Sequence, residues 1–138
     1  MTKSVIFDSY ALIAYFRNEI GTEYISELFS ELTLGNLQGY VSAINVGEVY
    51  YMIHRKSNAA SAEKALEIIQ TLPIDIIDAD WAATYQAAKL KSKYRISYAD
   101  AFAAALTIQM KGTLVTGDNE FNSLKKESGF KVHFINRT

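Results

Sequence analysis

Three carboxylates stand alone in long uncharged stretches of this sequence. Asp8 is the only charge between Ser4 and Phe16, Glu48 the only one between Gly39 and Ile53, and Asp100 the only one between Ile96 and Met110. A lone carboxylate in an apolar segment is costly to desolvate unless it is neutralised, hydrogen-bonded or bound to a cation. Asp118 has Glu120 close by, yet it too follows an apolar segment. Each aspartate also has a purely structural explanation. Asp8 or Ser9 would cap a first helix, Asp118 would cap one starting at Asn119, and Ser97-Tyr98-Ala99-Asp100 reads as a capping box. Glu48 has no such explanation, because it lies inside a helix on the face shared by Ile44, Tyr51 and Met52. Taken together, the four acids point to one site. Oxygen donors without cysteine or clustered histidine favour Mg²⁺ or Mn²⁺ over zinc. His54 lies in a basic stretch with Arg55 and Lys56, and His133 is far along the chain from the acids.

The elements that must position these acids alternate in type. Val5–Phe7 reads as a short buried strand, a continuous apolar run with β-branched members. Helices follow at Tyr10–Arg17 and Thr22–Leu34. Glu19, Glu23, Glu27 and Glu31 recur every four residues there and form a solvated face. Gly35 and Gly39 mark the turn into a strand over Tyr40–Ser42, and helices occupy Ile44–Arg55 and Ala59–Thr71. Pro73 opens a strand over Ile74–Ile77, and Asp80 caps a helix from Trp81 to Lys93. A helix over Tyr98–Lys111 ends at Gly112, placed there as a left-handed cap. Strand Thr113–Thr116, helix Asn119–Glu127 with Gly129 after it, and strand Lys131–Phe134 complete the order. This alternation predicts an α/β fold: a three-layer α/β/α sandwich with a central, mainly parallel sheet of about five short strands. Asp8 and Asp118 then fall just past the carboxyl ends of two strands, where open α/β sheets place their ligands.

Composition bounds the rest. A chain of 138 residues with 49% hydrophobic residues and one proline predicts a single folded domain over 1–138. Asp8 interrupts the N-terminus before a signal-peptide hydrophobic region forms, and no uncharged apolar run approaches the ~18 residues of a membrane span. The absence of cysteine excludes disulfides and thiolate chemistry and suits a reducing cytoplasm. With a net charge of -1, a protein acting on nucleic acid must concentrate its cations locally.

Four segments in order, Val5-Ile6-Phe7-Asp8-Ser9-Tyr10-Ala11-Leu12, Ile44-Asn45-Val46-Gly47-Glu48-Val49-Tyr50-Tyr51, Ser97-Tyr98-Ala99-Asp100-Ala101-Phe102 and Leu114-Val115-Thr116-Gly117-Asp118-Asn119-Glu120-Phe121, resemble the PIN domain. Within that family they resemble the VapC-type toxins of bacterial and archaeal toxin–antitoxin pairs. The resemblance covers nearly the whole chain. It implies that Asp8, Glu48, Asp100 and Asp118 bind Mg²⁺ or Mn²⁺ as catalytic residues, supported by the hydroxyls of Ser9 and Thr116. It also implies an RNA substrate, a cognate antitoxin as partner and a homodimer. Tyr10 stands where many members carry asparagine, and Glu120 where some have a further aspartate. The expected chemistry is hydrolysis of RNA phosphodiester bonds, with water acidified by metal attacking phosphorus in line.

Other readings fit the sequence less well. A phosphate-accepting receiver domain wants an acidic pair after the first strand, and a haloacid-dehalogenase-type phosphatase wants a second aspartate at position 10, which is tyrosine. No Walker-type or dinucleotide-binding glycine motif is present. A PIN-like module that binds nucleic acid or a partner without cutting is the rival of another class, and the intact set of four acids argues against it. Lys89, Lys91, Lys93, Arg95 and Arg17 are candidate contacts for an RNA backbone, although cations at helix ends also complement the helix dipole. Tyr10, Tyr15, Phe16, Tyr50 and Tyr51 are candidate docking material for a partner, or core.

Overall fold

In a computed structural model, described over residues 2–136, a five-stranded sheet runs in the order β3-β2-β1-β4-β5 with every neighbouring pair parallel. The strands are β1 (Lys3–Phe7), β2 (Leu37–Ser42), β3 (Asp75–Ile77), β4 (Thr113–Thr116) and β5 (Val132–Phe134). The helices are α1 (Ser9–Phe16), α2 (Thr22–Thr33), α3 (Ala43–Lys56), α4 (Ala59–Thr71), α5 (Trp81–Lys93) and α6 (Tyr98–Gln109). Because side chains alternate along a strand, β1 feeds two cores: Val5 and Phe7 pack with α1 to α4, and Ile6 packs with α5 and α6. Val115 and Leu114 divide in the same way on β4. The sandwich expected from the alternation of elements is therefore present, with a wholly parallel sheet. No helix among the described residues is long and apolar enough to cross a membrane.

The chain leaves β1 toward β2 on one side and later returns to β4 on the other, so the strand order reverses at β1. Phe7 lies level with both Val41 and Val115, so β1, β2 and β4 end together. Such a switch point leaves a crevice beyond the strand ends, and the loops after β1 and β4 enter it.

Three local expectations are corrected. The left-handed residue ending α6 is Lys111, with φ 52°, and not Gly112. Lys111 N–H donates to Ile108 and Gly112 N–H to Thr107, the paired bonds of a Schellman ending. Gly112 is needed for a different reason. A Cβ there would lie 2.6 Å from the Ser4 carbonyl oxygen and 2.7 Å from Ile6 Cδ1. Gly112→Ala is expected to cost on the order of 1–3 kcal/mol, read as a lower urea midpoint at unchanged slope. Gly39 lies inside β2 and not in the turn before it. Finally, residues 119–127 do not form an α-helix. A 3₁₀ helix covers Asn119–Leu124, and i+3 bonds continue through Glu127 and Phe130. Its buried side chains are Phe121 and Leu124, three apart, which a helix of three residues per turn brings to one side.

Candidate metal centre

Asp8 follows β1 directly and caps α1. Its Oδ1 accepts from Ala11 N–H at 2.9 Å, so the capping reading is correct as far as it goes. Its Oδ2 accepts a short bond from the Thr116 hydroxyl, at the matching end of β4. The same hydroxyl oxygen accepts from Asp118 N–H at 3.0 Å, so Thr116 ties both strand-end acids together. Asp8 is only 1% exposed. Burial, with Asp118 and Glu48 nearby, pushes its carboxyl up to about 7 against the pull of the Thr116 and Ala11 donors.

Glu48 sits half-buried on α3, held by three donors. Ser9 Oγ donates to its Oε1 at 2.8 Å, Asn45 Nδ2 to the same oxygen at 3.2 Å, and Tyr51 Oη to Oε2 at 3.4 Å. Ser9 thus fixes the Glu48 carboxylate as Thr116 fixes that of Asp8. Asp100 sits in the first turn of α6, 7% exposed. Only half of the expected capping box is observed: Asp100 N–H donates to Ser97 Oγ at 3.1 Å. The Asp100 carboxyl instead lies beside those of Asp118 and Glu120. Burial, then Asp118, Glu120, Asp8 and Glu48 raise it to about 8. The small residues Ala99, Ala101, Ala103 and Ala104 let α6 lie against the sheet and carry this carboxyl to the strand ends. Asp118 caps the 3₁₀ helix through Glu120 N–H and remains partly exposed.

The structure therefore gathers all four acids within electrostatic reach of one another. Asp8 and Asp118 were the expected direct pair. Among the described residues, Asp100, Asp118 and Glu120 each offer one oxygen, all within 4.8 Å of one another. Glu120 is the residue that sequence reasoning left outside the set, and the 3₁₀ turn delivers it. Asn45 also went unassigned. It is fully buried and bridges Glu48 to the Ala99 carbonyl, while its Oδ1 finds no donor. A divalent cation fits these residues. The donors are all hard carboxylate oxygens, two of them are held near neutrality only by taking protons, and a buried acceptor beside them lacks a partner.

The expected cationic strip is largely committed elsewhere. Lys91 Nζ donates to the Ile96 carbonyl at 2.8 Å, Lys93 pairs with Glu127 at 3.6 Å, and Lys89 lies over the Tyr85 ring.

Residues 5–127 match the family model described as the PIN domain. The chain belongs to the PIN domain family. Known structures extend the match across the fold. A chain of VapBC2 from Rickettsia felis, crystallised with a DNA fragment from its promoter, superposes with a TM-score of 0.75 at 17% identity, covering 95% of this chain and 98% of that one. A chain of DNA-bound VapBC from Salmonella typhimurium gives 0.74 at 16% identity, with coverage of 97% and 98%. VapC20 from Mycobacterium tuberculosis, a toxin that cleaves the sarcin–ricin loop, gives 0.71 at 13% identity, with coverage of 88% and 95%. No curated protein sequence matches the chain.

Proposed function

We propose that this PIN domain chain is a metal-dependent endoribonuclease, the toxin of a toxin–antitoxin pair. Asp8, Glu48, Asp100 and Asp118 are its catalytic metal-binding residues, Glu120 joins them, and Ser9 and Thr116 position them. One observation carries this reading: Asp8 and Asp100, almost wholly buried, are packed with three further acids at a sheet switch point, and among the described residues no lysine or arginine forms an ion pair with them. A merely structural role would not collect uncompensated carboxylates at that cost.

The division of labour follows from the bonds. The Thr116 hydroxyl holds Asp8 with one oxygen toward β4, and each carboxylate oxygen keeps a further lone pair for a cation. Ser9 and Asn45 fix Glu48 on the α3 side. Asp100, raised to about 8, keeps a proton at neutral pH, and that proton must leave when a cation enters. When bound, Mg²⁺ or Mn²⁺ supplies charge neutralisation at the phosphate and acidifies water for attack on phosphorus. The toxin–antitoxin assemblies among its structural relatives support a cognate antitoxin as partner; a homodimer working in the cytoplasm completes the proposal.

Purified chain incubated with a mixed-sequence synthetic RNA is expected to cut it with Mg²⁺ or Mn²⁺ and to stop when the metal is chelated. Asp8→Asn is expected to lose cutting and to keep its fold. A chain that cuts equally well with chelator, or an Asp8→Asn variant of unchanged rate, would remove the proposal. Sequencing 5′ ends of cellular RNA after inducing either form identifies the target.

A further inference from the structure

A groove of about 170 Å³ lies between α1 and α3. Its α1 wall carries Tyr10, Ile13 and Arg17, spaced three and four apart and so on one face. Its α3 wall carries Met52 and Lys56, one and two steps of four beyond Glu48. The near end, at Tyr10 and Met52, therefore lies within about one helical turn of Asp8 and Glu48, and the far end is cationic, roughly 10 Å away along α1. Among the described residues neither Arg17 nor Lys56 is in an ion pair, although Glu19 also borders the groove. Both cations end helices, where the dipole favours them, but the dipole does not require them to face one channel.

Tyr10 marks the near end. It is 43% exposed and lies two residues after Asp8, with its ring laid against Gly117, the residue before Asp118. A Cβ on Gly117 would sit 2.1 Å from Tyr10 Cε1, so the backbone there is kept bare for the ring. Asn136 Nδ2 donates to the Gly117 carbonyl at 3.1 Å and reaches the Tyr10 hydroxyl at 3.5 Å, which holds the assembly from the other side. An exposed aromatic fixed in place between two acid-bearing loops has a face free for stacking.

Building on the nuclease reading, we propose that this groove is the track for the single-stranded RNA flanking the cut. Tyr10 stacks on the base next to the scissile phosphate, and Arg17 with Lys56 hold a backbone phosphate further along. Stacking on an aromatic face tolerates any base, whereas phosphate contacts set affinity through counterion release.

The test measures binding of a labelled single-stranded RNA to the full chain across a salt series in an Asp118→Asn background. It also measures KM and kcat with Mn²⁺ in the cutting form. Combined Arg17→Gln and Lys56→Gln is expected to flatten the salt slope by about 1.4, two phosphate contacts at roughly 0.7 each. Combined Lys89→Gln and Lys93→Gln is expected to leave the slope in place. Tyr10→Ala is expected to weaken binding and raise KM roughly ten-fold, and Tyr10→Phe to restore both. An unmoved slope at Arg17 and Lys56, an equal loss from both lysine-bearing pairs, or an Ala variant with unchanged KM would overturn the track. Those results leave the nuclease reading standing if the unmodified chain still cuts. A chain that binds RNA with these slopes but never cuts would retain the track and refute the nuclease.

Discussion

Asp100→Asn is expected to reduce RNA cleavage on the order of 10²–10³-fold while making the metal-free protein more heat-stable at pH 8. The two effects share one cause. Asp100 is nearly buried, faces Asp118, Asp8 and Glu48, and is raised to about 8 by that surrounding. An unfolded chain ionises the same group near its ordinary 3.8, so between these values folding must take up a proton. Asparagine has the same shape and carries no such cost. Its advantage is therefore small near pH 4, grows through neutrality and levels off above pH 8. Melting midpoints should rise on the order of 5 °C at pH 8. The same substitution removes a charged donor from the oxygen group it shares with Asp118 and Glu120, which weakens metal binding and the electrostatic stabilisation of the transition state. Measuring kcat/KM with Mn²⁺ beside melting with chelator separates the outcomes. A variant that is both slower and less stable would mean that Asp100 holds the fold through bonds. A variant of unchanged activity would take Asp100 out of the site. Such opposition between stability and activity is usual where a fold stores cost at a functional site.

How much of this was legible in the sequence follows from what makes a residue stand out. Asp8, Glu48 and Asp100 were visible because a charge in an uncharged run demands an explanation, and desolvation cost is a property of the segment itself. The strand ends were visible because Val5–Phe7 and Thr113–Thr116 are short apolar runs followed directly by polar turns. Glu120 was not visible in the same way. It sits in a polar stretch where another acid is unremarked, and its approach to Asp100 depends on a 3₁₀ turn fixed by burial of Phe121 and Leu124. Asn45 carries no charge and breaks no periodicity, so its bridge between Glu48 and Ala99 exists only once α3 and α6 meet. The lysines of α5 were visible as cations, but Lys91 and Lys93 find the Ile96 carbonyl and Glu127 in three dimensions. Gly112 and Lys111 exchange roles for a similar reason. The left-handed position was one residue earlier, and the glycine was required by β1, a strand about a hundred residues upstream.

The metal-free protein is expected to lose heat stability as pH rises from 5 to 8, and a divalent cation is expected to restore it at pH 8 far more than at pH 5. Asp8 is pushed up to about 7 and Asp100 to about 8, both from 3.8. Across that window the folded chain holds more protons than the unfolded one, so the slope of unfolding free energy with pH is negative. The stability these groups allow is present at low pH, declines as pH climbs through the window, and stops declining once both are ionised in the folded state. Carboxylates with ordinary pKa values are already ionised in both states and add no slope there. A cation binds the deprotonated cluster, so it competes with protons and gains as they leave. At a hundred-fold excess over its dissociation constant it contributes about 2.7 kcal/mol, a shift of several degrees at pH 8. The measurement is a set of melts from pH 5 to 8.5 with chelator, with Mg²⁺ or Mn²⁺, and with sodium at matched ionic strength to remove screening. Metal-free melts that stay flat or rise with pH would mean that the acids are not buried together. A metal shift equal at pH 5 and pH 8 would mean that the cation binds somewhere other than the protonated group of Asp8 and Asp100. Combined Asp8→Asn and Asp100→Asn should flatten the metal-free curve and abolish the metal shift together, because one cluster of carboxylates is the source of both.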